Sequence, residues 1–165
     1  MGQPSTDHPE QVTILQVITL AIMAGLVSFG AIALFLAGEG EVSKVPYLSY
    51  VAMAFAIVMV VVRSVVGNFL TNAFRTGLDS TVWDESSEED QSLQLIGNMK
   101  TKHIVECGIL EAAAFCNCIA YLLEANIVNI VVVIGLLIVM ALTFPSRDKI
   151  DHWVDNQKQL INLGT

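Results

Sequence analysis

Positive charge is scarce in this chain of 165 residues: eight Lys and Arg stand against sixteen Asp and Glu, for a net charge of -8. A nucleic-acid surface needs clustered basic residues to neutralise phosphates, so that class of function is excluded. Charge of either sign is sparse as well, at 15% of residues where soluble domains carry about 25%. Cysteine is limited to three residues, Cys107, Cys116 and Cys118, all inside one apolar stretch. Cys116 and Cys118 are two apart and point in different directions on a helix, so they form neither a redox pair nor a zinc knuckle, and no disulfide framework is implied. Neither G-x-S-x-G nor H-E-x-x-H occurs, and no glycine-rich phosphate loop is present. The chain is expected to be non-enzymatic, with no cofactor and no bound metal.

What is abundant is apolar surface: 54% of residues are hydrophobic, and the mean hydropathy is +0.63. One soluble core cannot absorb that excess. Crossing a hydrocarbon layer of about 30 Å takes about 20 mostly apolar helical residues, because lipid offers no partner to an unpaired backbone group. Four stretches satisfy this, running from Val12 to Leu36, Tyr47 to Val66, Ile104 to Leu123 and Ile127 to Phe144. The first follows an acidic tail with Asp7 and Glu10 and lacks a cleavage site after it, so it reads as a retained span. The start Met1-Gly2-Gln3-Pro4-Ser5-Thr6 fits the myristoylation pattern, although four spans already anchor the chain.

The fold class expected is therefore all-α: an integral membrane four-helix bundle of two transmembrane hairpins, with a cytoplasmic loop and a C-terminal interfacial helix. Its divisions are a short cytoplasmic tail over 1–11, the first hairpin over 12–66, an acidic cytoplasmic loop with a possible helix over 67–103, the second hairpin over 104–144 and an amphipathic tail over 145–165. Arg63, Arg75, Lys100, Lys102, Arg147, Lys149 and Lys158 fall on one side of the spans and Lys44 on the other, which places both termini in the cytoplasm.

The loop gathers Asp79, Asp84, Glu85, Glu88, Glu89 and Asp90, but without the glycine and the alternating ligands of a helix-loop-helix calcium site. It reads as a solvated turn. Ser86 or Ser87, followed by three acidic residues, suits a helix N-cap. A helix starting there would carry Leu93, Leu95, Ile96 and Met99 along the membrane or down into the third span, with a break or bend near Gly97. After the fourth span, Pro145 stops one helix and Ser146 can cap another. Ile150, Trp153, Val154 and Ile161 recur at helical spacing there, which predicts an interfacial helix anchored by Trp153. His152 reads as a solvated neighbour of that tryptophan.

The second and fourth spans are almost uniformly apolar and can face lipid all round. The third, IVECGILEAAAFCNCIAYLL, holds Glu106, Glu111 and Asn117. Polar groups at that depth are expected to face protein or a water-filled path. Gly108, Ala112, Cys116 and Ala120 repeat every fourth residue as a ridge for close helix approach, and Gly25 and Ser28 offer small residues on the first span. The expectation is that spans one and three pack at the centre. Glu111, deepest in the span, is expected either to hydrogen-bond to Thr19, Ser28 or a backbone carbonyl, or to carry an ion. Glu106 lies at the depth of Arg63, and the two can form a charge pair; Arg63 can instead snorkel to the headgroups. His103, Glu106 and Cys107 share a face but supply three mixed ligands where structural zinc takes four.

An offset of 87 aligns Ile22, Ile32, Ala33 and Leu36 with Ile109, Ile119, Ala120 and Leu123, and an offset of 86 places Phe29 on Phe115. Two parallel hairpins related by an axis along the membrane normal would give such a pattern. With LEAAAFCNCIAYLLE and TFPSRDKIDHW, the chain resembles a group of small four-span bacterial membrane proteins of uncharacterised function. That resemblance implies a bacterial inner-membrane location and brings no activity. The Glu111-Ala112 stretch is locally similar to the carboxylate helix of proteolipid subunits in rotary ATPases, which implies a proton or sodium carrier. Here, however, the carboxylate lies on the first helix of its hairpin, and the first span lacks the Gly-x-Gly-x-Gly packing of those rings.

Two functions are thus expected. The first is a structural or accessory membrane protein in the lipid bilayer, with a second copy or another membrane protein as partner. The alternative is proton or cation translocation, with Glu111 binding the ion, Glu106 and His103 at the cytoplasmic entrance, and Asn117 on the path outward.

Overall fold

Proline has no N–H to leave unsatisfied at a helix start, and the first helix, α1, spans Pro9–Leu36. It is followed by α2 (Tyr47–Gly77), α3 (Glu88–Glu124), α4 (Ile127–Leu142) and α5 (Arg147–Asn162). The computed structural model describes residues 9–37, 46–77, 83 and 87–162, which include these five helices and no strand. The segment 1–8 with Asp7, as well as Lys44, Asp79, Asp84, Glu85 and Ser86, lies outside the described residues. The Glu88 side chain does too.

Three of these helices, α1, α2 and α3, are long and apolar enough to cross a membrane. The fourth expected span is different. With 16 residues, α4 is about 24 Å long, short of a hydrocarbon core of about 30 Å. It counts as a crossing only together with α5, to which it joins at a bend of 66°. Pro145 lies at that bend, where its ring cannot continue the helix.

The stretch 67–103 is mostly helix rather than loop. Helix α2 runs to Gly77 and α3 starts at Glu88, so both project past their apolar segments. At about 1.5 Å per residue, the 37 residues of α3 span about 55 Å. Ser87 caps its start, its hydroxyl accepting the Asp90 N–H at 3.1 Å. The helix passes through Gly97 without a break. The other end closes in left-handed backbone at Ala125, φ 51°, whose N–H donates to the Tyr121 carbonyl at 2.8 Å. Asn126 then caps α4 by accepting the Val128 N–H, which makes the link between α3 and α4 only two residues long.

Contacts fix the directions. Phe29 packs edge-on against Phe115 with ring centroids 4.9 Å apart, and Thr19 meets His103, so α1 and α3 run parallel. Ser49 meets Glu124 and Arg63 meets Glu106, so α2 and α3 run antiparallel. The central helix is α3: 44% of its most apolar stretch is buried, against 22% in α1 and 17% in α2.

The packing differs from expectation in two respects. First, α2 is the most extensive partner of α3, with α1 and α4 next, whereas α2 was expected to lie outside. Its buried residues Ser49, Ala52, Ala56, Gly67 and Thr71 are all small, which lets the two backbones approach closely. Second, Gly25, Ser28, Gly108, Ala112 and Cys116 are exposed, and of the expected small-residue ridge only Ala120 is buried. Apart from the adjoining backbone of its own helix and its chain neighbours, no described atom lies within 4 Å of a Cβ built on Gly25 or Gly108. Instead, the covered side of α1 carries Leu15, Thr19, Ile22, Leu26, Phe29 and Ala33, spaced alternately by three and four as in a coiled-coil seam, and from it Thr19 and Phe29 meet α3.

Beyond the apolar segments, a second core joins Val12, Trp83, Leu95, Ile96, Ile150 and Val154, flanked by Phe74, Met99, Trp153 and Ile161. Ile150 and Val154 of α5 are thus buried against protein. Gln16 donates to the Pro145 carbonyl at 2.9 Å and Arg75 to Gln157 Oε1 at 2.9 Å, fastening α1 and α2 to this end.

Candidate functional site

Polar side chains in an apolar helix must find partners, because lipid supplies none. In this molecule they find them mainly along α3, in three groups at successive depths.

At the end near α5, Arg63 Nη2 of α2 lies 3.3 Å from Glu106 Oε2, with both side chains largely covered at 13% and 15% exposure. Lys102, one turn earlier on α3, lies 3.9 Å from the other carboxylate oxygen. Gly67 makes room for this: a Cβ there would collide with Glu106 Oε1 and lie 3.1 Å from Lys102 Cε. His103 Nε2 is 3.0 Å from the Thr19 hydroxyl, and that hydroxyl gives its single proton to the Leu15 carbonyl at 2.8 Å. With that proton on the carbonyl, the Thr19 oxygen accepts from a protonated Nε2. Cys107 Sγ lies 3.5 Å from the same nitrogen.

Arg63, Lys102, His103 and Glu106 line a partly open cavity of about 320 Å³, closed by Met99, Leu142, Thr143, Lys149 and Trp153. Lys149 Nζ donates to the Leu142 carbonyl at 2.9 Å and to that of Phe144 at 3.4 Å. Both carbonyls are left over at the C-terminal end of α4, where a cation is favoured. Trp153 is half-buried and forms part of this wall. His152 is exposed.

In the middle of the span, Asn117 is fully buried. Its Nδ2 donates to the Ala52 carbonyl of α2 at 3.1 Å and to the Ala113 carbonyl at 2.9 Å. Both neighbours are acceptors, so the amide nitrogen must face them, which leaves Oδ1 buried without a partner among the described residues. Asn117 thereby bonds α3 to α2 in the middle of the span. Glu111 is partly exposed and makes no hydrogen bond or ion pair among the described residues. Thr19 donates to the Leu15 carbonyl and accepts from His103 instead, and Ser28 is exposed.

The third group, at the far end, was not anticipated. Glu124 accepts the backbone N–H groups of Leu48 and Ser49, each at 2.8 Å, and the Ser49 hydroxyl at 2.6 Å. A carboxylate of α3 thereby caps the start of α2, complementing its exposed N–H groups and its dipole. Asn129 of α4 donates to Ser49 Oγ at 2.7 Å, so three helices meet at one hydroxyl. A signal existed in the sequence: Ser49 and Asn129 are isolated polar residues in the first turns of otherwise apolar helices.

Among the described residues, no three side chains of metal-ligating type come together. No family model matches the chain, and searches of curated proteins and of solved structures give no similar protein. The functional reading therefore rests on the geometry alone.

Proposed function

We propose that this is a non-enzymatic multi-pass membrane protein with a structural or accessory role. In this reading it crosses the bilayer four times as a helix bundle, with the bent end of α4 completing the fourth crossing and both termini in the cytoplasm. The observation that carries it is the Asn117 clamp, which spends its donor hydrogens on helix carbonyls instead of lining a path. The groups above and below it are engaged likewise, Glu124 on the start of α2 and Glu106 on Arg63. Polar residues used in this way fasten helices together. The partner would be a second copy or another membrane protein, meeting exposed apolar side chains such as Val51, Val58 and Val65 of α2 or Val131 and Ile138 of α4.

One observation favours a second reading, proton or cation transfer: Glu111 sits in the apolar part of α3 without a hydrogen-bond partner among the described residues, and an unpaired carboxyl at such depth is a functional candidate. Proton flux into liposomes containing the purified protein separates the two. The structural reading predicts that neither wild type nor Glu111→Gln conducts above empty liposomes. Flux in the wild type that is lost in a stably folded Glu111→Gln would replace it with the carrier reading.

A further inference from the structure

The cavity between α2, α3 and the α4–α5 bend has an unusual electrostatic makeup. In a chain with only eight Lys and Arg and a net charge of -8, Arg63, Lys102 and Lys149 all line this one space. The lining contains a single carboxylate, Glu106, which Arg63 and Lys102 share. Two positive charges are left over. Like charges lining one space repel, so an anion bound in the cavity would favour the arrangement.

The position of the cavity narrows the chemistry. It lies where the apolar part of α4 gives out at Leu142 and Thr143, and Trp153 forms one wall. Tryptophan at such a boundary and basic residues between helices are features of headgroup-level sites for anionic lipids. The volume of about 320 Å³ is at the lower end of the roughly 300–1,000 Å³ typical of small-ligand sites, and the apolar flank of Met99 and Leu142 suits the glycerol end of a headgroup.

We propose that this cavity binds a phosphate monoanion or diester, with Arg63 and Lys102 approaching the phosphate from the helix pair and Lys149 from the bend. The same chemistry is available from an anionic phospholipid headgroup or from free phosphate.

The test is thermal unfolding of the full chain in neutral detergent, titrated separately with dihexanoyl phosphatidylglycerol, dihexanoyl phosphatidylcholine and inorganic phosphate. Wild type, a Lys102→Gln/Lys149→Gln double variant and Arg147→Gln are compared, the last removing a basic residue outside the cavity lining. Stabilisation by the phosphatidylglycerol alone, with half-saturation on the order of tenfold weaker in the double variant and unchanged in Arg147→Gln, supports the site with a lipid as its source. An equal response to inorganic phosphate, lost in the same variant, supports it with a soluble source. A response to neither anion, an equal response to the phosphatidylcholine, or a loss in Arg147→Gln as large as in the double variant overturns it. If the double variant does not fold, Lys149→Gln, which alters an exposed side chain, carries the same comparison, with Lys149→Arg expected to restore binding.

Discussion

At Gly67 a missing side chain sets the geometry of an ion pair. The Glu106 carboxylate occupies the space that a Cβ would need, and from there it reaches Arg63. Adding a methyl group need not break the helix contact, since the obstructing atoms are the mobile ends of Glu106 and Lys102, but it must displace the carboxylate. Gly67→Ala is therefore predicted to cost about 1 kcal/mol of stability in the wild type, and much less in a Glu106→Ala background. A double-mutant cycle of chemical or thermal unfolding measures the difference. Equal costs in both backgrounds would show that Gly67 serves only the approach of the helix backbones. The pairing of Arg63 with Glu106 could be read from the sequence, because both stand at the same depth in spans that run in opposite directions. The role of Gly67 could not be, because it follows from how near α2 comes to α3.

Among the elements, α3 departs furthest from what hydropathy suggests. Its apolar segment ends near Ile104, and the polar residues before it look like loop. The helix nevertheless continues back to Glu88 because Leu95 and Ile96 are buried against Ile150 and Val154 of α5 and Val12 of α1. Tertiary packing thus extends the helix. Gly97, which suggests a break when read locally, sits on the exposed side of this continuous helix, with nothing but its chain neighbours and the adjoining backbone of its own helix within 4 Å of a built Cβ. Gly97→Ala is accordingly predicted to stabilise the protein by about 0.5–1 kcal/mol, the usual gain for glycine in an exposed helix interior. A lowered unfolding temperature in that variant would mean that the helix bends there. The N-cap at Ser87 was readable because its signal is local, a serine ahead of acidic residues. The burial of α5 was not, because an amphipathic stripe has the same spacing whether it faces lipid or protein.

For the whole molecule, the sequence made the all-helical, membrane-embedded character plain, since it follows from composition and from run length. It anticipated that α1 packs on α3, but not that α2 is the more extensive partner of α3. Small residues occur on α1, α2 and α3 alike, and periodicity does not reveal which small face meets a partner. The stripe that does, from Ser49 to Thr71 on α2, keeps the helical spacing of three and four but is interrupted by the larger Met59 and Arg63. The Phe29–Phe115 contact agrees with the internal offset of 86, as two equivalent parallel helices meeting at equal depth would require.

In this molecule α3 is the central helix, and Glu106, Asn117 and Glu124 bond it to α2. Asn117 is the central one, since it ties α3 to a helix of the other hairpin in the middle of the apolar layer. The most direct measurement compares the thermal stability of wild type, Asn117→Ala and Glu111→Gln in the same detergent. Asn117→Ala is predicted to lose about 1–2 kcal/mol, from the interhelical hydrogen bond and the space left behind, a fall of several degrees for a chain of this size. Glu111→Gln is predicted to remain within about 0.5 kcal/mol of wild type, as expected for a side chain with no bonded partner. The reverse order, a tolerant Asn117 and a sensitive Glu111, would contradict the account and move the structural centre of the protein to the carboxylate.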